Sequence, residues 1–303
     1  MRMIINYLIF PGFLFSAVVG LMSGWVDRKV TARIQWRKGP PWHQNFTDLI
    51  KLSGKEIIVP ENGKLVFLLA PFMGLLSLVL CATILGKAIM APSESFAGDI
   101  IVVLYLLTIP ALSLIIGASS SRNPLASVGA SREMKLVLSY ELPFILSVIT
   151  VIIKSSGIIS LGGIINPQIN SSSYFFSWSG ALAFIVTIFC MQAKLGFAPF
   201  DIAEADQEIM GGTLIEYSGL PLAVFKLNKA LLLYIMPLLV TVLFLGKDLS
   251  IGFLLLKYTE ILVIAILIKN TNPRLRIDQA MRFFWGPVTA VALIALGLAL
   301  IGK

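Results

Sequence analysis

The chain has 303 residues, of which 57% are apolar and only 13% are charged, roughly half the charged share of a soluble domain. With a mean hydropathy of +0.89, this composition excludes an ordinary soluble protein. The net charge of +8 does not require nucleic acid, because lysine and arginine cluster in loops between apolar runs. We therefore expect a lipid bilayer around the chain and no nucleic-acid partner. Cys81 and Cys190 lie alone within apolar runs, which favours buried thiols over a disulfide or a metal cluster.

Eight apolar runs are each long enough to cross the hydrocarbon core as a helix, which takes roughly 20 residues. In chain order they are Met3–Val26, Leu65–Gly86, Ile100–Ala118, Met134–Ile153, Tyr174–Phe197, Leu220–Leu245, Ser250–Ile268 and Trp285–Ile301. The first run is too long for the core of a signal peptide and lacks a small-residue cleavage site, so it is interpreted as a span. The sequence predicts an all-α integral membrane protein, a single polytopic domain (1–303) with about eight transmembrane helices.

Basic residues mark the odd-numbered loops. In loops 1, 3 and 7 they are Arg28, Lys29, Arg33, Arg37, Lys38, Lys51, Lys55, Lys64, Arg122, Arg132, Lys135, Lys269, Arg274, Arg276 and Arg282. The even-numbered loops hold little more than Lys87, Lys154 and Lys247. Because cytoplasmic loops are enriched in lysine and arginine, the sequence predicts that loops 1, 3, 5 and 7 are cytoplasmic and that both termini lie outside.

A carboxylate interrupts the fourth apolar run. Glu141 lies in the segment Ser139-Tyr140-Glu141-Leu142-Pro143, about 10 Å past the start of that run at 1.5 Å per residue. A charged carboxylate at this depth is costly unless it is paired, hydrated or protonated. Burial favours its neutral form, which suits a group that takes up and releases protons. A structural carboxylate that is hydrogen-bonded to a neighbouring helix is the alternative.

The seventh run carries two opposite charges, Lys257 and Glu260. Residues three apart share one face of a helix and can pair. Such a pair inside the membrane is either purely structural or a switch whose pairing changes with protonation, and the sequence leaves both readings open.

The fifth loop, residues 194–219, is acidic although its neighbours on the same side are basic. Its carboxylates are Asp201, Glu204, Asp206, Glu208 and Glu216. We expect a helix to begin near Pro199 and to end at Gly211-Gly212, with Asp201, Glu204 and Glu208 on one face. This face is interpreted as a docking surface or a proton entrance, with a solvated acidic surface as the alternative.

The first loop, residues 27–64, has structure of its own. Gly39-Pro40-Pro41 predicts a turn. Apolar residues then interleave with charged ones as in an interfacial amphipathic helix, and they are Phe46, Leu49, Ile50, Leu52 and Ile57. Contact with anionic lipid and docking of a cytoplasmic partner both fit this pattern.

Four ordered motifs resemble those of the complex I H-subunit family, and the resemblance covers nearly the whole chain. They are Trp25-Val26-Asp27-Arg28-Lys29-Val30-Thr31-Ala32-Arg33-Ile34-Gln35, Gly129-Ala130-Ser131-Arg132-Glu133 running to Glu141, Ala198-Pro199-Phe200-Asp201-Ile202-Ala203-Glu204 running to Tyr217, and Pro273-Arg274-Leu275-Arg276-Ile277-Asp278-Gln279. Lys257 also falls where that family keeps an intramembrane lysine.

The branch of the family is indicated by a short first loop. Only Pro41–Ile50 separates the Gly-Pro turn from the Lys-Leu pair, several residues fewer than in quinone-reducing members, which puts a quinone pocket in doubt. The loop, together with Gly129–Glu133, Ala203-Glu204-Ala205 and Glu216–Gly219, is similar to the membrane subunit of energy-converting [NiFe] hydrogenases. That group includes formate hydrogenlyase, archaeal membrane-bound hydrogenases and their sulfur-reducing relatives.

The resemblance implies a membrane subunit that anchors a cytoplasmic redox arm and links electron transfer to proton or ion translocation. The chain would hold no cofactor, whereas partner subunits would hold a [NiFe] centre and iron–sulfur clusters. The implied partners are hydrogenase-like large and small subunits, an iron–sulfur subunit and antiporter-like membrane subunits, in the cell membrane of a prokaryote.

The site residues fall into two sets. The implied proton path consists of Glu141, Asp201, Glu204, Asp206, Glu208, Glu216, Lys257 and Glu260. The residues implied in docking are Arg28, Arg33, Arg37, Lys38, Arg132, Arg274, Arg276 and Asp278; those in the first loop could equally stabilise its fold. A sulfur reductase, a quinone-reducing complex, a stand-alone secondary transporter and a passive scaffold remain the alternatives.

Overall fold

A computed structural model describes residues 6–60, 63–170 and 172–302, which fold into helices and connecting loops without a strand in those ranges. Seven helical spans are long and apolar enough to cross a membrane: Asn6–Ile34, Lys64–Met90, Asp99–Ser120, Pro124–Lys154, Gly219–Phe244, Ile251–Thr271 and Ile277–Leu300. The regular part of the first span is α1 (Phe13–Ile34), and the others are α3, α4, α5, α8, α9 and α10. The predicted all-α membrane fold is confirmed.

The described residues also form three shorter helices of ten or more residues. They are α2 (Gln44–Ser53), α6 (Leu161–Asn170) and α7 (Trp178–Lys194). The fifth predicted span corresponds to α7, which has 17 residues and is therefore only about 25 Å long, less than the roughly 30 Å of a hydrocarbon core. Tyr174–Phe176, which the sequence assigned to this span, forms a separate 3₁₀ turn.

Local sequence explains where these helices begin. Asn123 precedes α5, and its side chain accepts a hydrogen bond from the Leu125 N–H at 2.8 Å, while Pro124 occupies the first helical position. Ser177 caps α7 in the same way by accepting from the Gly180 N–H at 3.2 Å. In the first loop, α2 buries Asn45 and Leu52 and exposes Ile50, and it ends at Ser53, before Ile57.

The long helix α8 lies at the centre of the bundle, because α1, α3, α7 and α9 all pack against it. Its last turn is fixed by two side chains from other helices. The buried Gln168 amide of α6 donates to the Val242 carbonyl at 3.1 Å and accepts from the Gly246 N–H at 2.8 Å. The Lys257 ammonium of α9 donates to the Leu245 carbonyl at 2.9 Å. These bonds satisfy groups that a helix end leaves without intrahelical partners.

Loops 1, 3, 5 and 7 meet at one end of the bundle, called here the odd-loop end (residues 35–60, 63, 121–123, 195–218 and 272–276). Loop 5 contacts the other three. Its Ser218 hydroxyl accepts from the Ile58 N–H of loop 1 at 2.9 Å, and the Pro199 carbonyl accepts from the Leu275 N–H of loop 7 at 3.0 Å. The Asn123 amide of loop 3 donates to Glu216 at 2.5 Å. The acidic loop is therefore the hub of this end.

Candidate functional site

Loop 5 folds inward because α7 is short. The chain leaves the helix at Lys194 and packs into the bundle, where Phe200, Ile202, Ala203 and Ala205 are buried. Irregular backbone at membrane depth is tolerated where it is buried in protein or lines a hydrated cavity. The contacts of loop 5 meet this condition.

Side chains from the surrounding helices satisfy the loop backbone. The buried Gln192 amide of α7 donates to the Ala198 carbonyl at 2.8 Å. The Arg132 guanidinium donates to the Ile202 carbonyl at 3.4 Å. The predicted helix from Pro199 to Gly211 is wrong, since the helical part of this segment is only Asp206–Ile209.

The loop carboxylates instead pair with cations on different elements. Asp201 lies 2.9 Å from Arg274 of loop 7, and Glu208 lies 2.6 Å from Arg132 of α5. Glu204 pairs with Lys229 of α8. The side chain of Asp206 lies outside the described part of the chain. Because the helix covers only Asp206–Ile209, the three carboxylates do not share the helix face that their spacing suggested, although Asp201 and Glu208 line one surface cavity.

Glu141 forms an ion pair with Lys194, at 2.7 Å from carboxylate oxygen to ammonium nitrogen. The Lys194 side chain is only 3% exposed and that of Glu141 is 19% exposed. The ammonium also lies 5.4 Å from the ring centre of Tyr140 and 4.9 Å from that of Phe144, where the negative ring faces add attraction. The carboxylate inside the fourth span is therefore held by a cation at the end of α7.

A cavity of about 60 Å³ lies between Lys194 and the acidic loop. Its polar lining residues are Glu133, Lys194, Asp201, Glu204, Asn228 and Lys229. The buried Oδ1 atom of Asn228 finds no hydrogen-bond donor among the described residues. The cavity has room for about four water molecules at roughly 15 Å³ each, so waters can bridge the charged groups on its wall.

Two larger cavities open beside it, of about 340 Å³ and 530 Å³. Both are lined by Glu204, Lys226 and Lys229. The smaller one also reaches Asp27 of α1, whose carboxylate lies 2.8 Å from Lys269 of α9. The Lys269 ammonium lies 4.3 Å from the ring centre of Phe197. Glu204 is thus the carboxylate that all three cavities share.

Sequence reasoning missed the cations and one acid of this cluster. Lys194 and Lys229 border or interrupt apolar runs, where a lysine is usually interpreted as reaching toward the headgroups. Glu133 stands out in the sequence only as part of a motif, yet it lines the cavity. No spacing rule identifies these partners, because they come together from α5, α7 and α8.

The predicted pairing of Lys257 with Glu260 is not found among the described residues. Lys257 is directed toward the Leu245, Lys247 and Asp248 carbonyls, in the second turn of α9 rather than at its middle. Glu260 is exposed on the same helix. Neither residue lines the cavities around Glu204.

The basic residues assigned to docking lie at the odd-loop end. Arg33, Arg37 and Lys38 surround a surface cavity of about 340 Å³ with Trp36, which is 98% exposed. Arg28 lies 3.3 Å from Asp48 of α2 and so joins α1 to that helix. A second surface cavity of about 280 Å³ brings the other predicted docking residues together, and they are Arg132, Arg274, Arg276 and Asp278.

Fold and site together define a class of protein. A bundle of membrane-spanning helices that holds ion pairs around an inward-folded acidic loop and its cavities is typical of a multi-pass membrane protein with functional charges. Comparisons with known proteins identify the family. A family model described as NADH dehydrogenase matches residues 5–300, and the chain belongs to this family.

The relatives agree with the resemblance seen in the sequence. The H subunit of the NADH-quinone oxidoreductase of Thermomicrobium roseum is 34% identical, with 98% of this chain and 95% of the relative covered. The corresponding H subunit of Brevibacillus brevis is 31% identical, with 95% and 90% covered. A chain of the membrane-bound sulfane sulfur reductase, an archaeal respiratory membrane complex, matches with a TM-score of 0.88 and 30% identity over 99% of this chain and 100% of that chain. The protein is an H-subunit-like membrane component of a complex I-like complex.

Proposed function

We propose that this chain couples electron transfer in a cytoplasmic arm to the movement of protons or other ions through the membrane. The observation that carries the proposal is the shared cavity. On its wall Lys194, the ion-pair partner of Glu141, lies with the Glu204–Lys229 pair. A change at the loop would therefore reach the carboxylate inside the span through Lys194.

The coupling step is a competition for cations. Two opposite unit charges about 4 Å apart in a partly buried site attract each other by about 4 kcal/mol. If a charge change in the docked arm draws Lys194 toward the loop acids, Glu141 loses that attraction. The free energy of its protonated form then falls, relative to the charged form, by a similar amount. About 4 kcal/mol corresponds to roughly three decades of proton affinity, which is enough to drive uptake and release.

The proposed path includes the loop acids and Glu141 but leaves out the two charged residues of α9. Lys257 caps the end of α8, and Glu260 lies on the exposed side of α9, away from the cavities around Glu204. Waters in the cavity would connect Asp201, Glu204 and Glu133 to the Glu141–Lys194 pair. From Glu141 protons would pass toward antiporter-like neighbouring subunits.

We place the odd-loop end in the cytoplasm, where its cations would hold the arm. Arg33, Arg37 and Lys38 surround one exposed cavity and are suited to charge-assisted hydrogen bonds with acidic groups of a partner. The excess of lysine and arginine in these loops supports this orientation. Bacterial and archaeal relatives support the cell membrane of a prokaryote.

For the arm itself we propose hydrogenase-like large and small subunits with an iron–sulfur subunit, which together would hold a [NiFe] centre. The short first loop supports this branch. A sulfur reductase is the second candidate, favoured by the match to the sulfane sulfur reductase chain. Nickel in a complex purified in mild detergent through this chain would support the first candidate, and a nickel-free complex that reduces sulfur compounds would support the second.

The coupling role is tested by Glu141→Gln in the whole complex. We expect ion pumping to fall by at least about tenfold, because an amide cannot exchange the proton. Electron transfer either stalls with it or continues uncoupled from pumping. The measurement is ion uptake into inverted vesicles per electron transferred. Glu94→Gln is the matched control, since Glu94 is exposed in a short turn at the other end of the bundle.

The same measurement distinguishes the proposed coupling role from a passive scaffold and from a stand-alone transporter. A passive scaffold would pump normally with Glu141→Gln, and that result would contradict the proposal. A stand-alone transporter would move ions without electron donor and without partner subunits, whereas a coupling subunit reconstituted alone would be silent.

A further inference from the structure

Helix α9 carries an exposed carboxylate in its middle. Glu260 is the tenth residue of this 21-residue helix and is solvent-exposed in the isolated chain. The positions one and two turns away on the same side are exposed and apolar, and they are Phe253, Leu256, Val263, Ile264 and Leu267. The opposite side packs into the bundle through Tyr258, Ile261, Leu262, Ala265 and Ile266. We call the exposed side the Glu260 stripe.

Glu260 forms no salt bridge in the described part of the chain, although Lys257 attracts it from beyond salt-bridge distance. Lys257, the cation one turn away, is directed toward the carbonyls after α8. Hydrogen bonding of Lys257 to those carbonyls holds its ammonium at the end of the helix, away from the middle. The carboxylate is therefore exposed and has no cation in direct contact among the described residues.

Lipid is a poor neighbour for this group. At 1.5 Å per residue Glu260 lies about 14 Å from one end of α9 and about 17 Å from the other. A glutamate side chain is too short to reach the headgroups from there, unlike the long side chains of lysine and arginine near helix ends. Intramembrane carboxylates are typically paired and face protein. A second copy of this chain would bring two carboxylates together, which is unfavourable.

We propose that the Glu260 stripe is the contact surface for a transmembrane helix of another subunit, which places a basic side chain at mid-membrane opposite Glu260. Apolar side chains above and below pack against that helix, and the ion pair fixes its register. This goes beyond the proposed coupling role, since it depends only on assembly with another membrane subunit and not on proton movement through Glu141.

The first test changes the charge in the assembled complex. With Glu260→Lys we expect one membrane subunit to fall at least about tenfold in the complex purified in mild detergent, with a smaller loss for Glu260→Gln. Glu94→Lys, the same change at an exposed turn outside the spans, should retain every subunit. Full retention of all subunits with Glu260→Lys would overturn the proposal.

Folding is checked separately with Glu260→Leu in the isolated chain. Because Glu260 has no internal partner in the described structure, we expect unchanged or higher thermal stability and, in the complex, the same loss of one subunit. A lower stability of the isolated variant would show that Glu260 serves this chain's own fold, which contradicts the proposal.

A photo-crosslinking residue at Leu256 or Val263 identifies the occupant directly. We expect crosslinks to one helix of a different membrane subunit, and a lysine, arginine or histidine in that helix at the depth of Glu260. Crosslinks to lipid alone, to a second copy of this chain, or to a helix without a basic residue would each overturn the proposal.

Discussion

At the level of single residues, the unusual group is the cation rather than the carboxylate. Lys194 has a side chain that is 3% exposed, and its charge is balanced by Glu141 and by the faces of two aromatic rings. Removing one partner of a buried ion pair leaves an unpaired charge and costs about 3–5 kcal/mol, whereas removing both is often neutral. The pair therefore makes a sharp prediction that separates stability from function.

We predict that Lys194→Met lowers the free energy of unfolding by about 3–5 kcal/mol, because it leaves Glu141 without its cation. Combining it with Glu141→Gln should recover most of that loss but none of the ion pumping. Thermal unfolding of the purified chain and vesicle pumping by the complex measure the two effects.

The exposed pair Arg28–Asp48 supplies the control for this experiment. Arg28→Gln should change stability by only about 0–1 kcal/mol, as surface pairs do. If the double variant pumped ions like the wild type, the Glu141–Lys194 pair would be structural. If Lys194→Met were as mild as Arg28→Gln, the pair would not be a buried ion pair in the bilayer.

At the level of elements, the sequence predicts features that depend on residues close together in the chain, and it does not predict those that depend on distant partners. The membrane spans are fixed by long apolar runs, and seven of the eight appear as helices that can cross a membrane. The prediction of a helix after Pro199 is wrong because the helical spacing of the carboxylates does not reveal their ion-pair partners. These partners are distant in the sequence, and they are Arg132, Lys229 and Arg274. No local pattern predicts that each loop carboxylate pairs with a cation on another element.

Close packing between α5 and loop 5 leads to a second prediction. A Cβ atom on Gly129 would lie 2.8 Å from the Thr213 nitrogen and 3.0 Å from the Ala203 oxygen, and both are backbone atoms that cannot rotate away. We predict that Gly129→Val displaces loop 5 and lowers stability by about 1–3 kcal/mol, as overpacking does. Pumping should fall as well, because Glu204 would leave its place on the cavity wall.

Gly297→Val on α10 is the matched control, since no described atom outside the local backbone of that helix lies within 4 Å of the corresponding Cβ position. The measurements are thermal unfolding and proteolysis of loop 5 in the detergent-solubilised chain. Equal behaviour of the two variants would mean that loop 5 is not packed on α5 as described.

At the level of the whole molecule, the two ends of the bundle differ in kind. The even-loop end is tied by hydrogen bonds to the end of α8, such as those from the Gln168 amide and the Lys257 ammonium. The odd-loop end collects ion pairs between loops and helices. Ion pairs that collect at one end suit a subunit that is driven from that side, as we propose, and the sequence predicted this asymmetry only as a count of basic residues.

The direction of that asymmetry is the last prediction. Trp36 is 98% exposed at the odd-loop end, and Ile251 is 84% exposed at the start of α9 at the opposite end. In intact cells a membrane-impermeant maleimide should label Ile251→Cys but not Trp36→Cys, and after solubilisation it should label both. The native Cys81 and Cys190 are buried and leave a low background. The reverse labelling would put the cations at the odd-loop end on the outer side, where no cytoplasmic electron donor could dock, and the coupling proposal would then fail although the fold stayed the same.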